Sequence, residues 1–214
     1  MLVPSMTWEE IAAEVNNDYI ALLKVMNYKM KNIGFRMSRL GEVRFTETFH
    51  MKTEKMNDWT VIVNISPFAS EFCFYLKSYD RYGIVAYKIA EEGDAFFLVK
   101  YNSHFFKRYR ERMNLDMTKP DQVMKHFFKN NIEEKHAISD EHSNGAQLAF
   151  FSYENGMGVG RFDPEKNIVH MKTFITRELF NEQQKRMFEF MESENRSEDV
   201  IEVAVATQNL TNKF

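Results

Sequence analysis

The sequence predicts an α+β fold with a predominantly antiparallel sheet and N-terminal, central and C-terminal helices. Residues near the start repeat apolar side chains at helical spacing, and residues 36 to 101 then break into short β-rich runs. Two further helical segments lead into three more extended runs and a last helix.

The first element spans Thr7 to about Lys31, where Ile11, Val15, Ile20, Leu23 and Met26 recur every three to five residues. Thr7, three positions before Glu10, has the form of a capping box, and Gly34 is the predicted stop. Next come "VRFTETFHM", "WTVIVNI", "FCFYL", "YGIVAYKI" and "AFFLVKY", separated by Asn57-Asp58, Ser66-Pro67, Asp80 and Glu91 to Asp94. Connections this short favour antiparallel pairing. A helix beginning near Asn102 or Ser103, either of which can cap it, buries Phe105, Phe106, Tyr109 and Met113. Thr118-Lys119-Pro120-Asp121 announces a second helix, with a cap, a first-turn proline and an early carboxylate. Its inner face is Val123, Met124, Phe127 and Phe128, and His126 is expected on the surface. The runs "AQLAFFSY", "MGVGRF" and "NIVHMKTFI" follow, joined by turns at Glu154-Asn155-Gly156 and Asp163 to Asn167. Thr176 is placed to cap a last helix reaching Met191, with Leu179, Phe180, Met187, Phe188 and Met191 inward. Residues 1–96 form a helix-plus-strands portion without an assigned role, 97–192 a helix-helix-sheet-helix region and 193–214 a polar tail, all read as one compact unit.

Composition excludes several classes of function. With 214 residues, 44% apolar, the chain can bury a large core. A formal net charge of -3 argues against a surface built throughout to coat nucleic acid or an anionic membrane, so any anion site must be local. Cys73 sits between aromatics as a buried spectator thiol, and a single cysteine allows no internal disulfide. No apolar run approaches the roughly 20 residues that cross a bilayer, and the amino terminus carries no secretory pattern. A soluble, cytoplasmic protein is expected. Gly156, Gly158 and Gly160 lack the strand-loop-helix context of a dinucleotide site and read as a turn glycine and two strand glycines. The six histidines lack the close spacing of a metal centre; His136 and His142, with Asp140 and Glu141 between, read as a polar loop. No metal and no cofactor are expected.

The central helix carries the chemistry. At about 100° per residue, His104, Arg108 and Arg112 fall within roughly 80° of each other at the rim of the buried stripe, with Glu111 beside them and Lys107 and Arg110 further round. Between Lys100 and Asn130 there are eight Lys or Arg and three Asp or Glu, a local +5 that leaves -8 for the remainder. Such a row suits phosphoryl transfer within RNA: the ribose 2′-hydroxyl attacks its own phosphate, a histidine works as acid or base, and guanidinium forks grip phosphate oxygens. His104 is the candidate acid or base, Arg108 and Arg112 the clamp, and Lys107 an added substrate contact. A plain solvated face with i, i+4 basic residues explains the same spacing.

"HFFKRYRERMNLDMTKPDQVMKHFF" resembles the H-x(3)-R-x(3)-R helix, short loop and valine-bearing second helix of the ribonuclease-like domains of the BECR group (barnase, colicin-type and RelE-type nucleases), over roughly residues 97–185. The resemblance implies a helical layer followed by about four antiparallel strands. It also implies a catalytic set His104, Arg108, Arg112 and Thr173, with Lys172 binding substrate from the strand in "MKTFITRELF". Two functions are thus expected: a metal-independent endoribonuclease-like or RNA-binding domain, or a catalytically silent protein-interaction domain, prophage- or toxin-associated. The partners are accordingly RNA or another protein, with no membrane and with the oligomeric state left open.

Overall fold

The computed structural model describes residues 2–3, 5–40, 45–65, 70–92, 95–132, 134–143 and 146–193. The Ser66-Pro67 turn, the Gly93-Asp94 part of the following turn, and the tail from Glu194 onward lie outside the described residues.

The fold is α+β. Helix α1 (Trp8–Leu40) precedes strands β1 (Phe45–Lys52), β2 (Asp58–Ile65), β3 (Ser70–Asp80), β4 (Gly83–Glu92) and β5 (Ala95–Tyr101). Helices α2 (Ser103–Arg112) and α3 (Pro120–Asn130) follow, then β6 (Lys135–Ser143), β7 (Ala146–Tyr153), β8 (Gly156–Asp163), β9 (Ile168–Thr176), a 3-10 turn (Arg177–Leu179) and α4 (Glu182–Ser193). One sheet holds nine strands in the order β1-β2-β3-β4-β5-β9-β8-β7-β6. Every neighbouring pair is antiparallel except β5 with β9, where Leu98 to Tyr101 run parallel to Ile168 to Met171. The sheet is therefore mixed, because α2, α3 and β6 to β8 form a long crossover between two central strands.

Helix α1 begins on the expected capping box: Glu10 N–H donates to Thr7 Oγ1 at 3.3 Å and Thr7 N–H to Glu10 Oε2 at 2.8 Å. Gly34 does not end it, and the helix continues to Leu40; an interior glycine costs only about 1 kcal/mol. Val15 and Met26 are buried, together with Leu22 and Ile33, against Trp59, Val61, Val63, Val85 and Leu98, whereas Ile20 and Leu23 face outward. Two carboxylates on the inner side of α1 find donors on the strands: Asn57 Nδ2 donates to Glu14 Oε1 at 2.8 Å, and Trp59 Nε1 to Asp18 Oδ2 at 2.9 Å.

The opposite face of the sheet carries α2 and α3. Phe105, Phe106, Tyr109, Val123, Met124, Phe127 and Phe128 pack there on Tyr75, Val99, Tyr101, Phe151 and Phe174. Gly158 lets this layer close, since a Cβ there would lie 2.4 Å from Met171 Cε and 2.9 Å from the Tyr153 ring. Helix α4 buries Phe188 and Met191 on Ala137, Phe150 and Met157, from the face opposite α2.

Several element boundaries differ from the sequence expectation. Residues 135–143 form edge strand β6 rather than a polar loop, paired antiparallel to β7 with a bulge between Ile138 and His142; charged residues on an edge discourage further pairing. Glu91 and Glu92 belong to β4. Lys119, not Thr118, is the N-cap of α3. Thr176 closes β9, and α4 starts after Asn181, whose Oδ1 accepts from Gln184 N–H at 2.8 Å while Asn181 N–H donates to Gln184 Oε1 at 3.0 Å. Leu179, expected inward, is exposed in the 3-10 turn. No helix among the described residues is long and apolar enough to cross a membrane.

Candidate functional site

Helix α2 is fastened at both ends to the margin of β9. Strand β5 ends at Tyr101, but β9 runs on to Thr176, so beyond Met171 its outer carbonyls have no strand partner on that side. Asn102, the N-cap of α2, accepts from Phe105 N–H at 2.9 Å and donates from Nδ2 to the Met171 carbonyl at 3.0 Å. At the other end, Arg112, the last residue of α2, donates from Nη1 to Thr173 Oγ1 at 3.2 Å and to the Phe174 carbonyl. Side chains of α2 thereby take the place of ladder donors along the rest of β9.

Thr173 and Arg112 do meet. Burial first, then the neighbouring Arg108, lowers the Arg112 guanidinium, with Glu111 opposing; it remains a cation at any ordinary pH. His104 and Arg108 lie exposed on the same helix, Arg108 Nε donating to His104 Nε2 at 3.4 Å and Arg108 Nη1 to Glu111 Oε2 at 3.2 Å. In this contact His104 Nε2 is the acceptor. Lys107 reaches Glu111 at 3.9 Å. Lys172 is exposed on β9. One carboxylate, Glu111, thus faces both Lys107 and Arg108.

A hollow of about 630 Å³ opens beside the N-terminal half of α2, lined by Tyr82, Ser103, His104, Lys107, Arg110 and Val123. Arg108 and Arg112 do not line it. The sequence places Arg110 further round the helix, and the structure turns it and Lys107 toward this hollow while His104 stands between hollow and row. Tyr82, on the β3–β4 turn, had no motif around it and is legible only once the turn is seen against α2. His126, expected on the surface, is tied to the core: its Nδ1 lies 3.0 Å from Tyr109 Oη, and burial, with Lys129, pushes its imidazole below the usual range.

Charge also enters the core. Lys88 of β4 donates to Glu134 Oε1 at 2.7 Å, both side chains 8% exposed, and Tyr101 Oη donates to Glu134 Oε2 at 3.3 Å while lying 3.1 Å from Tyr153 Oη. Burial works to lower the Lys88 ammonium, but the Glu134 carboxylate outweighs it and the net direction is upward. Burial, reinforced by Glu134, drives both phenols well up, and burial raises the Cys73 thiol to about 11, so that cysteine is inert. Lys88 and Glu134 border a second hollow of about 680 Å³ with Leu23 and Phe72, but there the two charges neutralise one another. Among the described residues no group of three or more His, Cys, Asp or Glu is placed to hold a metal ion.

Comparison with known protein families, with curated proteins and with solved structures finds no match. The site therefore has to be read from its own chemistry.

Proposed function

We propose that the protein is a ribonuclease-like, RNA-binding domain whose helix α2 grips a phosphodiester chain. One observation carries this reading: His104, Lys107, Arg108 and Arg110 stand on a single helix flanking an open hollow, with Glu111 as the carboxylate facing Lys107 and Arg108. In a chain of net charge -3 that concentration has no need to exist for solubility, and it offers an anion a local well. Lys172 lies exposed on β9 next to Thr173, which holds Arg112 at the far end of the helix. The order helix, helix, four antiparallel strands, seen in α2, α3 and β6 to β9, supports the BECR-like reading.

Cleavage follows from the same groups without a metal in any step. His104 Nε2, once Arg108 leaves it for the phosphate, takes the 2′-hydroxyl proton; the 2′-oxygen bonds to phosphorus as the bond to the 5′-oxygen breaks, and that oxygen takes a proton from solvent. Arg108 and Lys107 then neutralise the equatorial oxygens. Protein binding is the second reading, favoured by one observation: Ile20, Leu23 and Tyr28 lie exposed along α1.

Binding of single-stranded RNA measured against salt tests the proposal. Each phosphate contact contributes about 0.7 to the log-log slope, so a variant with Lys107, Arg108 and Arg110 changed to Gln should lose about two units of slope. His104→Ala should abolish any 2′,3′-cyclic phosphate product while leaving binding. Wild-type affinity indifferent to salt and to the triple change would refute the proposal and leave the α1 surface.

A further inference from the structure

We infer that the hollow beside α2 is a base-stacking subsite for single-stranded RNA, with Tyr82 as its platform; the inference rests on the phosphate-gripping reading of α2. Tyr82 sits on the tight turn between β3 and β4 and is 70% exposed. The turn is not loose. Ser103 Oγ donates to the Tyr82 carbonyl at 2.9 Å, Asp80 Oδ1 accepts from Tyr82 N–H at 2.9 Å, and Gly83 takes the positive φ of 122° that brings its backbone against Ser103. These bonds fix the Tyr82 backbone relative to the first turn of α2, which sets the ring and the helix cations on the same hollow.

The Arg81 guanidinium lies 4.6 Å from the centroid of the Tyr82 ring and covers one face. The rest of the ring stays open toward the hollow it shares with His104, Lys107 and Arg110. One exposed tyrosine therefore shares the lining of a cavity with His104, Lys107 and Arg110 of α2. Its volume of about 630 Å³ falls inside the range of small-ligand sites, about 300–1,000 Å³. Bases offer a π face, phosphates a charge, and single-strand binders combine aromatic platforms with a basic groove in this way. A bare anion would use the cations and leave the tyrosine idle. The occupant the geometry fits is a nucleotide unit of a flexible strand, its base on Tyr82 and its phosphate toward Lys107 and Arg110, with no preference among bases.

The experiment compares three probes on the full chain: an oligouridylate of about ten nucleotides, within the span of single-strand sites, an abasic oligomer of equal length, and inorganic polyphosphate. Tyr82→Ala should weaken the oligouridylate about 5- to 150-fold, leave its salt slope unchanged, and leave polyphosphate binding as in the parent. Tyr82→Trp should keep the affinity and show indole quenching, relative to the parent, by the oligouridylate but not by polyphosphate. Equal binding of the abasic and base-bearing oligomers, or of Tyr82→Ala and parent, would overturn the stacking subsite while leaving the cationic reading intact. If the parent binds none of the three probes, the reading beneath falls, and the subsite with it.

Discussion

Removing one partner of the Lys88–Glu134 pair should be the most damaging single polar change in the protein. Both side chains are 8% exposed and their charged atoms lie 2.7 Å apart, so little water is left to take over from a lost partner. The attraction between buried ions roughly offsets their desolvation, but only while both are present. Lys88→Met leaves the Glu134 carboxylate with the Tyr101 hydroxyl as its remaining bonded donor among these contacts, and the loss expected for breaking such a pair is about 3–5 kcal/mol. For a domain of this size each kcal/mol shifts Tm by about 2–4 °C, giving a fall of roughly 6–20 °C. Glu134→Gln removes the charge on the other side, and the Lys88 ammonium is then the uncompensated ion. Lys88→Met combined with Glu134→Met deletes both charges and strands only the Tyr101 hydroxyl, which keeps Tyr153 as a neighbour, so its net loss should be nearer 1 kcal/mol. Urea and thermal unfolding of the singles and the double complete the cycle. If the double loses the sum of the two singles, the side chains are not coupled and the buried-pair account is wrong.

Two further changes probe the elements that hold the site. Asn102→Ala deletes both the cap of α2 and the donor to the Met171 carbonyl; a cap contributes about 0.5–2 kcal/mol and the orphaned carbonyl about 1–3 more, so urea unfolding should show a loss of about 1.5–5 kcal/mol, and a loss below about 1.5 would exclude the stapling role. His170 on β9 should make the protein acid-labile: burial first, then Lys172 and Lys100, with Asp163 opposing and Lys166 adding, lower its imidazole to about 4. The unfolded chain then binds the extra proton, so stability is full above about pH 6.5 and declines as pH falls toward 4. His170→Gln should flatten Tm against pH in that window, and curves parallel to the parent would refute it.

Much of the fold was legible where one periodicity dominates. The inner faces of α2 and α3 lie where an apolar stripe of period 3.6 puts them, because Phe105, Phe106, Tyr109, Val123, Met124, Phe127 and Phe128 have no competing signal. Strand β6 was hidden because Lys135 to Ser143 carries the charges of an edge, and an edge strand buries too little to alternate clearly. The parallel β5–β9 contact was out of reach for a different reason: a crossover that long leaves no local turn signature. Lys88 illustrates a third limit. Its run "YGIVAYKI" reads as a strand, yet whether a lysine points to solvent or to a carboxylate 46 positions away is decided by tertiary pairing alone. That His104, Arg108 and Arg112 share one helix followed from spacing, and the naming of Thr173, which meets Arg112, from the resemblance. Tyr82 and the inward turn of Arg110 did not, since the hollow exists only after the β3–β4 turn is tied to Ser103.

The division of labour along α2 explains why its cations can be exposed without loosening the fold. Asn102 and Arg112, at the helix ends, are committed to the carbonyls of β9, and Phe105, Phe106 and Tyr109 are committed to the core. Between them, His104, Lys107 and Arg108 make local contacts with Glu111 and with one another, and exposed pairs of that kind contribute less than about 1 kcal/mol each. Those side chains are therefore nearly neutral for stability, so their charge can be removed without unfolding the helix. The separation also makes the proposal open to a clean test, because Gln at 107, 108 and 110 removes the charge of these side chains while both fastenings of the helix to β9 stay in place.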